Sequence, residues 1–245
     1  MDARTRKRHA ESILAAHAKR RRFPAVLFWR VTERQVIRAR YRPPPNAAAD
    51  ELSTFQIREI IDQAAKLGVL KINFYAEDPV LRDDIDEIAA HARAKGIFVE
   101  VAASGPLLST KASQLVRAAR IMIPLLGRRP VHEELRVGRS VYDQATEGVS
   151  AARKLGLPTT LLFTATNRNV EEIEYVLQLA SKVGAMVCLE ALPTETHTFV
   201  GVEKFYPTPE AFRSITDLLL GIYKKRHDMI RNSRESLEYL AHWPK

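Results

Sequence analysis

A chain of 245 residues, 46% hydrophobic and 27% charged, fits one α/β domain with small appendages. Its single cysteine, Cys188, excludes a disulfide framework and suits a cytoplasmic protein, and no apolar run reaches the roughly 18 residues that cross a bilayer. The formal charge of +9 is segregated: residues 1–42 hold 13 Lys/Arg against 3 Asp/Glu, and residues 43–245 hold 25 against 26, so a neutral body with a basic front points to an anionic partner at that end.

In chain order, residues 1–22 form a basic extension that ends in Lys19, Arg20, Arg21 and Arg22. Its middle, residues 10–18, is rich in helix formers, with Ile13, Leu14 and His17 on one side, and predicts a short amphipathic helix. A solvated tail without specific contacts is the alternative. Pro24–Trp29 is short, β-branched and aromatic enough for a buried strand, with Trp29 packed in the core. It leads into Val31–Arg42, a loop carrying Arg34, Arg38, Arg40 and Arg42. After a linker opened by Pro43-Pro44-Pro45, Ser53 and Gln56 have the spacing of a capping box, and Ile57, Ile60, Ile61 and Ala64 make an apolar stripe that stops at Gly68. Val69–Tyr75 is the next predicted strand.

The unit then repeats. Predicted strands Ile97–Ala102, Ile121–Leu126, Thr159–Phe163 and Met186–Glu190 alternate with helical patterns marked by Ile85/Ile88/Ala92, Leu115/Val116, Val141/Ala145/Val149 and Ile173/Val176/Leu177. Six strands alternating with helices predict a parallel sheet with right-handed crossovers, two short of a closed TIM barrel. Residues 208–227 and 228–242 read as two further helices.

Several stretches together carry a family resemblance over roughly residues 24–225. They are the strand and loop through Arg42, Glu51-Leu-Ser-Thr at the first barrel helix, Ala76-Glu77-Asp78-Pro79 after the second strand, and Ile121–Pro158 with its Gly127, His132 and Gly138. The chain resembles the radical SAM enzymes. The resemblance implies an open six-stranded (β/α)6 partial TIM barrel over residues 23–200, with a C-terminal helical segment, 201–245, packed on it. In that family a Cys-xxx-Cys-xx-Cys loop holds a [4Fe–4S] cluster whose open iron binds S-adenosylmethionine. Here the three positions are Gln35, Ala39 and Arg42. The family's Gly-Gly-Glu-Pro, which lets backbone approach the nucleotide, is here Ala76-Glu77-Asp78-Pro79. Glu77 adds a Cβ and a charge where a glycine would stand. No cofactor is therefore expected.

Ligands of such barrels bind at the C-terminal ends of the strands. Those ends offer the loop arginines, then Ser104, Arg128 and Arg129, Arg168, and finally Glu190, Glu195 and His197. The arginines, with Arg20–Arg22, form the candidate anion- or RNA-binding set, because guanidinium groups hold phosphates bidentately. No His-xxx-His or Cys-xx-Cys pair exists, so no metal site is expected. Cys188 lies mid-strand as a buried, inert thiol. The leading expectation is a non-catalytic protein binding RNA or a ribonucleoprotein through its basic front and former cluster loop. The alternatives are a non-catalytic partner subunit of an active radical SAM enzyme, or an enzyme with replaced chemistry using Glu77, Asp78, Glu190 or His197.

Overall fold

A computed structural model describes residues 24–42, 50–75, 78–115, 120–192 and 201–243, with the helical residues Lys7, Glu11 and Ala15. Most of the basic extension, including Arg20, Arg21 and Arg22, lies outside the described residues, as do Ala76, Glu77, Glu195 and His197.

Six strands, β1 (Val26–Trp29), β3 (Lys71–Phe74), β4 (Phe98–Ala102), β5 (Arg120–Pro124), β7 (Thr159–Thr164) and β8 (Met186–Glu190), form one parallel sheet in the order β1-β3-β4-β5-β7-β8. This is the partial barrel expected from six alternating units. A separate two-residue ribbon pairs β2 (Arg38–Ala39) antiparallel with β6 (Arg136–Val137).

The outer face of the sheet is covered by helices α1 (Thr54–Lys66), α2 (Ile85–Ala94), α3 (Gly105–Lys111), α4 (Arg129–Leu135), α5 (Val141–Lys154) and α6 (Ile173–Val183). Their apolar stripes, such as Ile57 and Ile61 of α1 and Ile85 and Ile88 of α2, are fully buried against Ile72, Phe74, Val99, Ile121 and Phe163. The capping box at α1 is formed: Gln56 N–H donates to Ser53 Oγ, and Ser53 N–H donates to Gln56 Oε1 at 2.9 Å. Between α3 and α5 the backbones nearly touch. A Cβ on Gly105 would lie 2.2 Å from the Gln144 carbonyl oxygen, so only glycine fits there.

α7 (Pro209–Lys225) and α8 (Arg234–Leu240) contribute Phe212, Leu219 and Leu237 to the same core, closed by Trp243, whose Nε1–H donates to Leu192 O at 3.0 Å. Residues 228–242 differ from the single helix predicted. A 3-10 turn, His227–Met229, gives way to extended backbone at Ile230, and α8 starts only after Ser233 caps it. The reason is tertiary. Ile230 bridges Val187, Arg231 N–H donates to Val187 O, and the Asn232 amide both donates to and accepts from the Leu189 backbone, so this stretch covers the free edge of β8. The third helix starts at Gly105, earlier than Leu115 suggests, and short α4 has too little periodicity to read from sequence.

Candidate functional site at the barrel mouth

The inward-facing residues of the six strands line a cavity of about 620 Å³ that reaches the loops at the C-terminal ends of the strands. Gln35, Ala39 and Arg42 all face it, so the topology brings these three loop positions together at one mouth.

The loop that carries them is built into the scaffold. Asp78, buried at the start of the segment after β3, accepts from Val36 N–H and from Ser104 N–H, both at 2.8 Å, and its own N–H donates to Arg34 O at 2.9 Å. One carboxylate thus ties the loop after β1 to the loop after β4. From the other side the β2–β6 ribbon pins Ala39, and Arg40 N–H donates to Leu135 O at 3.0 Å. Tyr41 is buried edge-on against Phe205, so it supports the loop from below. Pro79 follows Asp78 as the first residue of a 3-10 turn.

The loop arginines are mostly engaged. Arg34 grips Glu51 with Nε and Nη2, each at 3.0 Å. Arg82 also reaches Glu51, and the hydrogen bonds of Thr32 and Arg34 with the charge of Arg82 outweigh partial burial to hold the Glu51 carboxyl below the usual range. Arg128 pairs with Glu172 at 2.9 Å and lies over the Tyr175 ring; Arg129 makes a two-pronged contact with Asp143 and lies over Tyr142. Arg168 approaches Glu134 at 4.0 Å. Arg40 Nε donates to Glu134 O at 2.6 Å. Arg42 reaches across the mouth to Glu190, 3.8 Å away, and Glu190 also accepts from Thr164 Oγ1. Arg38 is exposed and makes no side-chain hydrogen bond or ion pair among the described residues.

Two further groups are tuned by burial. His132 is buried, accepts from Leu126 N–H through Nδ1, and is pushed down to about 3 by burial, so it is a neutral packing residue. Cys188 is only half-buried because it faces the cavity beside Ala102, Met122 and Leu162, yet burial pushes its thiol up to about 12. It stays protonated. An amide, a methyl group, a guanidinium and one protonated thiol do not make a thiolate set, so the residues present do not fit a [4Fe–4S] cluster. Among the described residues no group of three or more His, Cys, Asp or Glu side chains could hold a metal ion, and no helix is long and apolar enough to cross a membrane.

Sequence reasoning missed the floor of the cavity. Glu100, buried mid-strand in β4, meets Lys71 of β3 at 3.2 Å, Arg120 of β5 at 3.5 Å and Arg231 at 2.7 Å. The available signal was a charged residue at an alternate position inside each otherwise apolar run; Arg231, 131 residues from Glu100, had none.

The sequence profile described as the radical SAM superfamily matches residues 37–180. AdoMet-dependent heme synthase of Methanosarcina barkeri is 26% identical over 170 residues, covering 66% of this chain and 49% of the relative. PqqA peptide cyclase of Xanthomonas campestris is 28% identical over 169 residues, covering 66% of this chain and 45% of the relative. The chain therefore spans about half the length of the curated relatives it matches. Among solved structures, Streptococcus suis SuiB bound to S-adenosylmethionine superposes with a TM-score of 0.71 at 14% identity, over 85% of this chain and 49% of that one. Methylornithine synthase (PylB) gives 0.61 at 14% identity over 98% and 82%.

Proposed function

The chain belongs to the radical SAM superfamily, and from that premise we propose that it is a member without radical chemistry, acting as a binding protein. The observation that carries this reading is the cluster loop itself. Its backbone is held in place by Asp78 and the β2–β6 ribbon, while the positions that would supply thiolates present Gln35, Ala39 and Arg42. A loop retained as scaffold, with its mouth crossed by an Arg42–Glu190 contact, supports a role in binding. Reconstitution with iron and sulfide under anaerobic conditions is expected to leave the protein colourless; a brown protein with several irons per chain overturns the reading.

The partner this reading favours is RNA or a ribonucleoprotein, because the charge excess lies wholly in residues 1–42. Among the described arginines at the mouth most already have a carboxylate, so the phosphate contacts are assigned mainly to the basic extension, with Arg38 and Arg40 adding to them. If four to six phosphates are neutralised, the log–log dependence of affinity on salt has a slope of roughly −3 to −5, borrowing about −0.7 to −0.9 per phosphate from DNA. Deleting residues 1–22 is expected to remove most of that slope. Replacing Arg38 and Arg40 by alanine is expected to remove about one to two units of it. Equal, weak binding by all three chains defeats the RNA partner and favours a protein partner instead.

A second reading, a non-catalytic partner subunit, is favoured by one feature. On edge strand β1, Phe28 is 61% exposed and Val26 is 40% exposed where they line the open side of the cavity, apolar surface of the kind that protein contacts cover. Salt-insensitive capture of an intact radical SAM enzyme would support it.

A further inference from the structure

The cavity changes character with depth, and its floor is charged in an unbalanced way. Three cations, Lys71, Arg120 and Arg231, surround one carboxylate, Glu100, leaving the cluster two positive charges in excess. Glu100 is only 2% exposed, whereas the side chains of Lys71 and Arg231 are 23% and 30% exposed and both line the cavity. A molecule entering the barrel therefore meets the cations. Lys71 Nζ spends one donor on Glu100 Oε2, and Arg231 spends Nε and Nη2 on Glu100 Oε1, so each keeps N–H donors in reserve. Buried charge in excess is unfavourable unless a counter-charge reaches it. Burial and the neighbouring Arg231 charge lower the Arg120 pKa against the opposing pull of Glu100, as a surplus of cations requires.

The wall just above points to the same ligand. Asn73 stands in register with Glu100 on one side and Phe28 on the other, is 5% exposed, and lines the cavity; its Oδ1 has no hydrogen-bond partner among the described residues. A lone acceptor calls for a donor on the ligand. Higher still, Ala102, Met122, Leu162 and Cys188 form a small apolar cluster, and Phe28 and Tyr75 meet edge-on at 5.6 Å on the open side.

We propose that the inner cavity binds a small organic acid with an apolar body and a hydrogen-bond donor beside its carboxylate, the carboxylate meeting Lys71 and Arg231, the donor meeting Asn73 Oδ1, and the body filling the space between the Met122–Leu162 cluster and Phe28. The volume suits a compact ligand of this kind. The site is independent of any RNA contact and of the fate of the cluster loop.

Calorimetry on the full chain with three matched probes tests it: 3-phenyllactate, 3-phenylpropionate, which lacks the donor, and 3-phenylpropane-1,2-diol, which lacks the carboxylate. The expected order is phenyllactate tightest, phenylpropionate several-fold weaker and the diol at least tenfold weaker. Lys71→Met is expected to weaken phenyllactate tenfold or more without moving the diol. Asn73→Leu is expected to erase the difference between phenyllactate and phenylpropionate. Glu100→Gln acts in the opposite direction and is expected to tighten both acids; if that variant is too unstable alone, phenyllactate is expected to raise its melting temperature by more than the parent's. Equal binding of acid and diol, or no binding at millimolar concentration, overturns the proposal.

Discussion

At the mouth of the barrel most guanidinium groups face a carboxylate: Arg34 with Glu51, Arg128 with Glu172, Arg129 with Asp143. On the floor three cations share one, Glu100. The two regions look alike as sequence, each a set of basic residues near strands, and they differ in partners and in water. The mouth pairs are largely open to solvent, where an ion pair contributes little and is screened by salt. The floor is closed in, so its one carboxylate matters to three neighbours at once. Charge at the mouth decorates a scaffold; charge on the floor is part of one.

The sharpest way to break that contrast is to remove the floor carboxylate. Glu100→Gln keeps the shape and leaves Lys71, Arg120 and Arg231 facing one another without an anion. Denaturant unfolding is expected to show a loss of about 3–5 kcal/mol, the range for breaking a buried pair from one side. A loss under about 1 kcal/mol would mean that solvent already screens the floor and that the two regions are electrostatically equivalent.

Next comes Asp78, a charged mouth residue as buried as the floor carboxylate. Asp78→Ala removes the acceptor of two backbone N–H groups, Val36 and Ser104, and leaves them unsatisfied. The expected loss is about 2–4 kcal/mol, with Asp78→Asn losing roughly half because its amide oxygen still accepts one bond. Hydrogen exchange should show the Val36 and Ser104 amides losing protection before the sheet does. Unchanged protection would mean that the β2–β6 ribbon alone holds the loop.

How much of this was legible in the sequence follows from the same division. The strands were, because their runs are short, mostly apolar and bounded by turn residues, so β7 and β8 fall within a residue of their predicted spans. That Gln35, Ala39 and Arg42 would gather at one mouth was also legible, because all three sit on the single loop that follows β1. The partners were not. That Arg34 would be taken by Glu51, or that Asp78 would serve backbone amides, depends on chain segments brought together by the fold. Arg231 is the extreme case, delivered under the barrel by the extended stretch that covers β8, where local propensity suggested helix. Local periodicity reports which face a residue is on and says nothing of who stands opposite.

A smaller effect is expected from pH. The His132 imidazole is held down to about 3 by burial, well under the ordinary value near 6.5 that it regains on unfolding. The unfolded chain therefore binds the extra proton first. Stability from this residue is complete above pH 6.5 and declines as pH falls toward 3, at up to about 1.4 kcal/mol per pH unit. The difference between the parent and a His132 variant over pH 6.5 to 5 isolates it, since the other histidines are common to both and the lowered carboxyls of Glu51 and Asp84 begin to matter only nearer pH 4.5. Denaturation midpoints across that interval should fall more steeply in the parent than in His132→Gln, whose amide oxygen can still accept from Leu126 N–H.

The smallest effect is expected where the contact looks strongest. Arg129 and Asp143 meet through two hydrogen bonds, and each lifts or lowers the other's pKa in the sense that favours the charged pair. Both are open to solvent, with side chains 49% and 42% exposed. Water competes for each charge, salt screens the pair, and Arg129 still keeps Glu133 at 3.6 Å and the Tyr142 ring beneath it when Asp143 is gone. Asp143→Asn is therefore expected to leave the unfolding midpoint within measurement error at 0.15 M salt, and any difference should vanish as salt is raised. A clear, salt-resistant loss would place this pair with Glu100 as structural charge, and the distinction between mouth and floor would then rest on geometry and not on exposure.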